Sequence, residues 1–260
     1  MKNGLIIYNE KDKEINQWFI DNCLKSLNND DFSLLYKEEK EALDYISKNH
    51  IDYVIFRARN YPLLNEIEAK GVRCFNNSLT NRIANNKYET YEFLKEHGFA
   101  CLETFLDSSK LSFPFVMKSV DGHGGSEVFL VSSKENLKPG NKQYIYQRYI
   151  LNNGDVRLYV LGKKIIGAVK RSNDKDFRSN FSLGGNVEAY KPTQEMIDTA
   201  LKIASLLKSD YIGVDFIIDD KEFVVNEIED PVGARMLFKT TGINAVSLFV
   251  EYIKNNLKDN

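Results

Sequence analysis

Apolar residues in the first third of the chain alternate between two spacings, one typical of strands and one typical of helices. Short apolar runs predict four strands, and between them apolar residues recur every three or four positions, which predicts helices. The strand-like runs are residues 4–8, 32–36, 53–56 and 72–75, and the helical stretches are 15–27, 42–46 and 63–69. This βαβαβαβ order predicts a small parallel sheet covered by helices, with a ligand crevice at the carboxyl ends of its strands.

The pattern changes after about residue 85, where short strands follow one another with few helices between them. Their connections are too short for helical crossovers, so we expect these strands to pair antiparallel. The predicted strands are residues 113–119, 127–132, 144–148, 156–161, 164–171 and a pair within 212–229, and the predicted helices are 87–97, 193–208 and 244–255. The chain is therefore expected to be α/β at its start and α+β in its later part.

Composition and charge remove several classes of protein. The chain has 260 residues, 43% of them hydrophobic, and a formal net charge of −2 with acids and bases interspersed. It has no basic tail and no apolar run of the roughly 20 residues that span a bilayer, so we expect neither a nucleic-acid partner nor a membrane. The first apolar run is too brief for a signal peptide, and Cys23, Cys74 and Cys101 are scattered, as reduced core thiols are. Both features favour a cytoplasmic location.

A glycine-rich segment at residues 121–128 lies between two predicted strands. Gly122, Gly124 and Gly125 allow positive φ angles and let backbone N–H groups approach an anion, although a tight turn with a bulge would also use glycine. The segment matches neither a P-loop nor a Rossmann fingerprint, because no Gly-Lys-Ser/Thr is present and a strand follows it. Lys118 ends the preceding apolar strand, so its ammonium group could meet the same anion or could simply lie at the surface.

Three acids interrupt the apolar strand pair near the end of the chain. Glu227 and Glu229 are two residues apart and share one face of their strand, and Asp215 lies on the other strand. Carboxylates among Val, Ile and Phe are costly to bury unless cations neutralise them, which favours a Mg²⁺ site over a solvated strand face.

The register of this strand pair decides whether the three acids meet. If residues 219–221 form a three-residue turn, Ile218 pairs with Glu222 and Asp215 with Val225. Asp215 then shares the face of Glu227, diagonal to it. A two-residue turn would reverse that parity.

Several arginines follow strands or adjoin glycines, where a guanidinium can bind a phosphate or carboxylate in a bidentate manner. Surface ion pairs are the alternative for each of them. Arg57 and Arg59 follow a strand of the first sheet, at the predicted crevice, and could hold a substrate carboxylate. Arg235 could line an acceptor pocket. Arg157, Arg171 and Arg178 precede the pair Gly184 and Gly185.

Eight segments in sequence order resemble motifs of the RimK-like ATP-grasp carboxylate–amine ligases, over about residues 57–249. They are residues 85–87, 115–118, 121–128, 146–150, 155–157, 177–180 with 184–185, 213–215 and 227–229. The resemblance implies an ATP-grasp fold with a small Rossmann-like parallel sheet at residues 1–84. It further implies a central lid subdomain at 85–148 and a C-terminal antiparallel-sheet subdomain with the metal site at 149–260.

The resemblance also implies the roles of individual residues. Lys87 and Lys118 would contact ATP phosphates beneath a flexible glycine loop, and a hinge segment would hold adenine mainly through its backbone. Arg178 and Asn180, with Lys118, would act on the transferred phosphate. The glycine loop comprises Gly122, His123, Gly124, Gly125 and Ser126; the hinge comprises Gln147, Arg148, Tyr149 and Ile150; Asp155 and Arg157 complete the nucleotide set.

The metal residues follow from the same resemblance, and the substrate residues combine it with the usual role of arginine in binding carboxylates. Asp215, Glu227 and Glu229 would hold Mg²⁺, as two ions, with Mn²⁺ as a substitute. Arg57, Arg59, Arg171, Gly184, Gly185 and Arg235 would line the substrate side. His123 would contact phosphate or transfer a proton, or would be an ordinary loop residue.

Two departures from the family pattern bear on the site. Arg148 stands where an acid is common, which leaves backbone recognition of adenine intact. Glu229 stands where the family usually has Asn, and residues 230–233 replace the usual Ser-Pro-Gly. Glutamate still ligates Mg²⁺ but changes the charge of the site.

The implied reaction converts a substrate carboxylate to an acyl phosphate with ATP, and an amine then attacks to give an amide, ADP and phosphate. Positioning and charge stabilisation suffice for this chemistry, so the chain needs no Ser–His–Asp or Cys–His set. We expect amino-acid or peptide substrates, with a lactam or ester formed within a precursor peptide as a variant. A non-catalytic ATP-binding regulatory module and a phosphotransferase are the alternatives, and a homodimer is a family-level expectation.

Overall fold

The computed structural model describes residues 1–125, 127–137, 141–151, 154–173, 186–219 and 222–258. Three β-sheets organise these residues. The sheets follow one another along the chain. The exact unit boundaries, after residues 84 and 148, stay a prediction.

The first sheet is parallel, with strand order β2-β1-β3-β4, as the sequence predicts. Helices α1, α2 and α3 connect its strands. The strands are β1 (Lys2–Tyr8), β2 (Phe32–Glu38), β3 (Tyr53–Phe56) and β4 (Arg73–Phe75), and the helices are α1 (Glu10–Ser26), α2 (Glu39–Lys48) and α3 (Tyr61–Ala69). Helix α1 begins at Asn9, whose side chain accepts a hydrogen bond from the Asp12 N–H at 2.7 Å, and it kinks at Asn16. The kink lies beside the cleft described below.

A four-stranded antiparallel sheet follows two short helices, α4 (Ser78–Ala84) and α5 (Lys87–Glu96). Its strand order is β5-β8-β6-β7. The strands are β5 (Thr104–Phe105), β6 (Phe115–Ser119), β7 (Val128–Val131) and β8 (Tyr144–Arg148). The pairing is antiparallel throughout, as the short connections indicate.

The third sheet has five strands in the order β11-β10-β9-β12-β13 and is also antiparallel. Its strands are β9 (Asp155–Leu161), β10 (Lys164–Ser172), β11 (Asn186–Ala189), β12 (Tyr211–Asp219) and β13 (Glu222–Glu229). Three helices accompany it: α6 (Gln194–Leu207), α7 (Arg235–Thr241) and α8 (Ala245–Lys258). The sequence pattern did not predict α4, α7 or β11, because each is too short for its period to stand out.

The hydrophobic core is continuous between the first and third sheets. One cluster unites Phe19 of α1 and Phe75 of β4 with Tyr159, Tyr211 and Phe249. On the opposite face of the third sheet, a second cluster packs α5 and α6 against alternate residues of the same strands. The first cluster therefore joins the first and third sheets in one packed body, and the second covers the other face of the third sheet.

The three cysteines form no disulfide; Cys23 and Cys74 are buried and Cys101 is half-buried. This agrees with the prediction of reduced core thiols. Among the described residues, every helix falls short of the length and apolarity that a bilayer crossing requires.

Candidate active site

A deep cleft of about 1190 Å³ lies where the three sheets meet. Tyr8 and Arg57 reach it from the carboxyl ends of β1 and β3, the position that the parallel-sheet order predicts. Ligand pockets usually enclose roughly 300–1,000 Å³. The cleft therefore has room for more than one small molecule.

Three carboxylates gather on one wall of the cleft. Asp215 on β12 and Glu227 and Glu229 on β13 each offer one oxygen, and these three oxygens lie within 4.8 Å of one another. Asp215 is buried, whereas the two glutamates are half-buried. The predicted convergence of these acids is confirmed.

The predicted register of the strand pair is wrong. Asp219 pairs with Glu222, which leaves two residues rather than three between them. The shorter turn alone would place Glu227 on the opposite face of the sheet from Asp215. A β-bulge after Asp215 adds one residue, Asn226, to β13 and brings Glu227 directly opposite Asp215. The two one-residue shifts, one from the turn and one from the bulge, therefore cancel, and the acids share a face.

Two buried arginines neutralise Asp215. Arg157 on β9 donates from Nε and Nη2 to the two Asp215 oxygens at 2.6 and 2.7 Å, and Nη2 also donates to Glu229 at 3.0 Å. Arg171 on β10 donates to Asp215 at 2.6 Å and to Asp155 at 2.5 Å. A Cβ added to Gly213 would lie 3.1 Å from Cδ of Arg157, so glycine there makes room for the guanidinium group.

These ion pairs shift the pKa values of the acids in opposite directions. Burial alone would raise the pKa of Asp215, but Arg157 and Arg171 outweigh it and lower that pKa to about 2. Burial raises the pKa of Asp155, which Arg171 only partly opposes. The pKa of Glu227 is lowered, because Lys87 and Lys118 outweigh the effect of burial. Asp215 and Glu227 are therefore ionised at neutral pH.

Two lysines face the carboxylates across the cleft. Lys118 is 7% exposed, and its Nζ donates to Asn226 Oδ1 at 3.0 Å and lies 3.7 Å from Glu227 Oε1. Lys87 Nζ is also 3.7 Å from Glu227 Oε1 and donates to the Gly122 carbonyl. Burial lowers the pKa of Lys118, and Glu227 opposes that shift. Lys118 is a buried group of the cleft and not a surface lysine.

The donor set of this wall fits Mg²⁺. Three carboxylates supply the hard oxygen ligands that this ion prefers, and a half-buried cleft limits competing water. Both Asp215 oxygens already accept hydrogen bonds from arginine. A cation bound there must therefore share Asp215 with Arg157 and Arg171 or displace them.

The glycine loop lies over the same cleft. Gly124 and Gly125 have φ angles of +68° and +75°, which confirms that the loop needs residues able to adopt positive φ. Gly122, His123, Gly124 and Gly125 all line the cavity. Partial burial lowers the pKa of His123, and the positive charges of Arg59 and Lys87 add to that shift. Both effects favour the neutral form of the His123 imidazole.

The hinge segment forms another part of the wall. Gln147, Arg148, Tyr149 and Ile150 line the cavity, together with Leu102 and Val116. The Gln147 side chain is buried and donates to the Thr104 hydroxyl at 2.8 Å, while Arg148 is exposed. The Gln147 side chain is thus held by a contact within the second sheet.

Arg57 and Arg59 follow β3, line the same cleft and have different partners. Arg57 is 3% exposed; its Nε donates to the Tyr8 hydroxyl at 3.1 Å and its Nη2 to the Val232 carbonyl at 2.7 Å. Arg59 pairs with Asp12 at 2.7 Å and approaches Glu229 at 3.9 Å. Arg235 is exposed at the start of α7 and lines the same cavity.

The model of the RimK-like ATP-grasp domain family matches residues 78–253, two thirds of the chain. The chain belongs to the RimK-like ATP-grasp family. Membership makes it an ATP-dependent carboxylate–amine ligase, and enzymes of this family generally use Mg²⁺ with ATP. The resemblance inferred from the eight motifs is thus confirmed.

Individual relatives agree with this assignment. An uncharacterised Mycoplasma genitalium protein, MG011, is 32% identical over 99% of this chain and 94% of its own length. A probable alpha-L-glutamate ligase of Haemophilus influenzae is 26% identical over 86% of this chain and 82% of its own. The crystal structure of D-alanine–D-alanine ligase from Bacillus anthracis with ATP shares the fold, with a TM-score of 0.76 at 16% identity over the full length of both chains.

The structure of this ATP-grasp ligase brings together most of the predicted site residues, and it also adds one. Asn226 was not predicted, although a polar residue between Val225 and Glu227 in an apolar strand was a signal; it forms the bulge and accepts from Lys118. Five predicted residues lie outside the described part of the chain: Ser126, Arg178, Asn180, Gly184 and Gly185.

Proposed function

We propose that this ligase joins the carboxylate of one amino acid or peptide to the amine of another, and that the cleft at the junction of the three sheets is its active site. The observation that carries the proposal is that two lysines lie 3.7 Å from Glu227, one of three carboxylates whose oxygens converge within 4.8 Å in the same cleft. Phosphoryl transfer needs this combination, because cations must offset phosphate charge and acids must hold the metal.

Each part of the cleft then has a role. Lys118 and Lys87 contact ATP phosphates, the glycine loop covers them, and residues 147–150 receive adenine. Asp215, Glu227 and Glu229 hold Mg²⁺, as two ions that Mn²⁺ can replace, and this metal supplies charge neutralisation at the transferring phosphate. Arg157 and Arg171 keep Asp215 ionised and fixed, as the short pairs at 2.6–2.7 Å indicate.

The reaction has two displacement steps. A carboxylate oxygen of the first substrate attacks the terminal phosphorus of ATP, the bond from that phosphorus to the bridging oxygen breaks, and ADP leaves. The amine nitrogen of the second substrate attacks the resulting acyl carbon, the bond from that carbon to the phosphate oxygen breaks, and phosphate leaves. The amine loses a proton to phosphate or water, so the protein needs no strong base in this step.

Arg57, Arg59 and Arg235 supply cations to the cleft, and we assign them to substrate carboxylates. The probable alpha-L-glutamate ligase among the relatives supports amino-acid or peptide substrates. A cytoplasmic location, a homodimer and unit boundaries after residues 84 and 148 belong to the same proposal.

The decisive experiment measures phosphate release from Mg-ATP with pairs of amino acids and short peptides. We expect release with a particular acid–amine pair, together with an amide product detected by mass spectrometry. Glu227→Gln should abolish release, whereas Glu222→Gln, an exposed acid on the same strand, should leave it unchanged. ATP binding without turnover for any pair would favour a regulatory module. A stable phosphorylated product formed in the absence of any amine would favour phosphotransfer.

A further inference from the structure

One end of the cleft is apolar. Ile15 and Trp18 on α1 and Met236 on α7 line it, above the buried rings of Tyr8 and Phe19. Ile15 is 54% exposed and Trp18, the one tryptophan of the chain, is 40% exposed. Large apolar side chains left exposed together inside a concave surface are typical of ligand contacts.

The floor of this end carries a buried cation that interacts with the charge of Asp230 but forms no ion pair with it. The Arg57 guanidinium carbon lies 4.2 Å from the centre of the Phe19 ring, and its hydrogen bonds go to a hydroxyl and a backbone carbonyl, both neutral. Within the described ranges, no carboxylate forms an ion pair with Arg57 and no atom accepts from its Nη1. Asp230, the acid of the adjoining segment, instead accepts from the Asn76 and Asn81 amides at 2.8 and 2.9 Å.

Other buried arginines of the protein differ from Arg57 in this respect. Arg157 and Arg171 each form ion pairs with carboxylates. In the part of the chain that the structure describes, Arg57 has no direct ion pair of this kind. A ligand carboxylate that reaches its guanidinium group gains a charge-assisted hydrogen bond, which makes this end of the cleft a site for an anion beside apolar side chains.

Arg57 and Arg59 differ in their contacts with the carboxylate cluster. Arg59, two residues further on, contacts Asp12 and lies 3.9 Å from Glu229 of that cluster. Arg57 contacts Tyr8 and Val232 instead. We therefore assign the carboxylate held by Arg57 to the substrate that does not receive phosphate.

We propose that the amine substrate is a free α-amino acid with an apolar side chain. Arg57 binds its non-reacting carboxylate, and its side chain packs against Ile15, Trp18 and Met236. This inference rests on the proposed function, in which the acyl group forms at the lysine–carboxylate end. An acidic side chain would instead be drawn to Lys11 and Arg235, which also line the cavity, so the identity of the bound side chain tests the inference directly.

The first test is equilibrium binding of leucine, methionine, glutamate and lysine to the protein loaded with Mg²⁺ and a non-hydrolysable ATP analogue. We expect leucine and methionine to bind at least about tenfold more tightly than glutamate or lysine, because desolvating a charged side chain against an apolar wall is unfavourable. Tighter binding of glutamate or lysine would overturn the inference, as would the absence of amino-acid binding to the loaded protein.

Variants locate the binding. Ile15→Asp should weaken leucine binding about tenfold or more. Leu206→Asp makes the same kind of replacement, apolar to acidic, at a 37% exposed position on α6 outside the cleft, and should not weaken leucine binding. Both variants should bind the ATP analogue as the parent protein does. An unchanged leucine affinity in Ile15→Asp would overturn the apolar subsite. Failure of the parent protein to bind the analogue would instead overturn the proposed function, and the inference with it.

The carboxylate contact has its own comparison. Leucine should bind at least about tenfold more tightly than 3-methylbutylamine, which lacks only the carboxylate, and Arg57→Met should remove most of that difference. Equal binding of the two compounds by the parent protein would overturn the role of Arg57. That comparison needs no variant, so it stands even if Arg57→Met folds poorly.

Discussion

Asp215 and Glu227 stand directly opposite each other on β12 and β13, and one extra residue, Asn226, makes this pairing. Without the bulge, the two-residue turn would turn Glu227 to the other face of the sheet, because side chains alternate along a strand. Asn226 also accepts a hydrogen bond from Lys118 at 3.0 Å. The bulge thus aligns the acids and positions the lysine that faces them.

Removing Arg157 should destabilise the protein strongly. The substitution Arg157→Ala leaves Asp215 buried with Arg171 as its remaining partner, and breaking a buried ion pair usually costs about 3–5 kcal/mol. Chemical denaturation in EDTA measures this loss. Mg²⁺ should restore more stability to the variant than it adds to the parent protein, because a cation can take the place of the missing guanidinium group.

The control for this substitution is Arg82→Ala, since Arg82 forms an ion pair with Glu89 at the surface. Surface pairs contribute about 0–1 kcal/mol, so this variant should remain close to the parent protein. A loss in Arg157→Ala as small as in Arg82→Ala would contradict the energetic role that we assign to the buried cluster.

Stability should fall as the pH drops below 4. Asp215 has a pKa of about 2 in the folded chain against an ordinary value of 3.8. A carboxyl group whose pKa is lowered by folding contributes stability above its unfolded pKa, and that contribution is lost as the pH falls through the folded value. A shift of this size corresponds to stabilisation on the order of 2 kcal/mol.

Urea unfolding in EDTA between pH 5 and pH 2, in steps of about half a unit, measures the effect. Folding raises the pKa values of Asp155, Asp210 and Asp230, so these three groups increase stability as the pH falls. The contribution of Asp215 must therefore be isolated by comparing the parent protein with a variant that lacks this carboxylate. Asp215→Asn should show a shallower decline than the parent protein over this window. Identical slopes would show that the buried arginines do not hold Asp215 ionised.

Much of this architecture could be predicted from the sequence. The parallel order of β1 to β4 follows from the alternation of strand and helix periods, and the glycine loop was evident from three glycines in four residues. The bulge at Asn226 could not be predicted, because it depends on how β13 pairs with β12 and not on its own period. Nor could the pairing of Arg157 and Arg171 with Asp215, since these residues lie up to 58 positions apart and meet only when β9, β10 and β12 align.

Lys118 should matter more for nucleotide binding than for folding. The variant Lys118→Met removes a buried ammonium group while keeping the length of the side chain, and Glu227 retains Lys87 at 3.7 Å, so we expect a smaller loss of stability than in Arg157→Ala. Loss of a charge-assisted hydrogen bond to phosphate costs about 1.5–3 kcal/mol, which is roughly a ten- to hundredfold loss of ATP affinity. Lys110→Met, at an exposed position, should lose nothing.

Titration calorimetry with Mg²⁺ and a non-hydrolysable ATP analogue measures this affinity, and thermal unfolding of the same samples reports stability. An affinity in Lys118→Met equal to that of the parent protein would exclude Lys118 from the phosphate site. Equal losses in both lysine variants would indicate general electrostatic attraction of the nucleotide and not a specific contact.

Cysteine reactivity should report the burial of the core. Burial raises the pKa of Cys23 to about 12, and it also raises the pKa of the half-buried Cys101. The thiolate is the reacting species, so alkylation should be slow at neutral pH and should begin at Cys101, the most accessible of the three. Mass spectrometry after timed alkylation, in native buffer and in denaturant, resolves the sites. Labelling of Cys23 before Cys101 would contradict the packing of α1 on the first sheet.

Glu229 should strengthen metal binding relative to the amide that the family usually has there. Its carboxylate contacts Arg157 at 3.0 Å and approaches Arg59 at 3.9 Å, and its side chain is 26% exposed. The variant Glu229→Asn keeps an oxygen ligand but removes one negative charge, so we expect a weaker response of ATP binding to Mg²⁺, by roughly tenfold in the concentration required. Stability should change little, because Arg157 keeps both of its contacts to Asp215. A Mg²⁺ requirement equal to that of the parent protein would show that the Glu229 carboxylate interacts with Arg157 and Arg59 and does not contribute to metal binding.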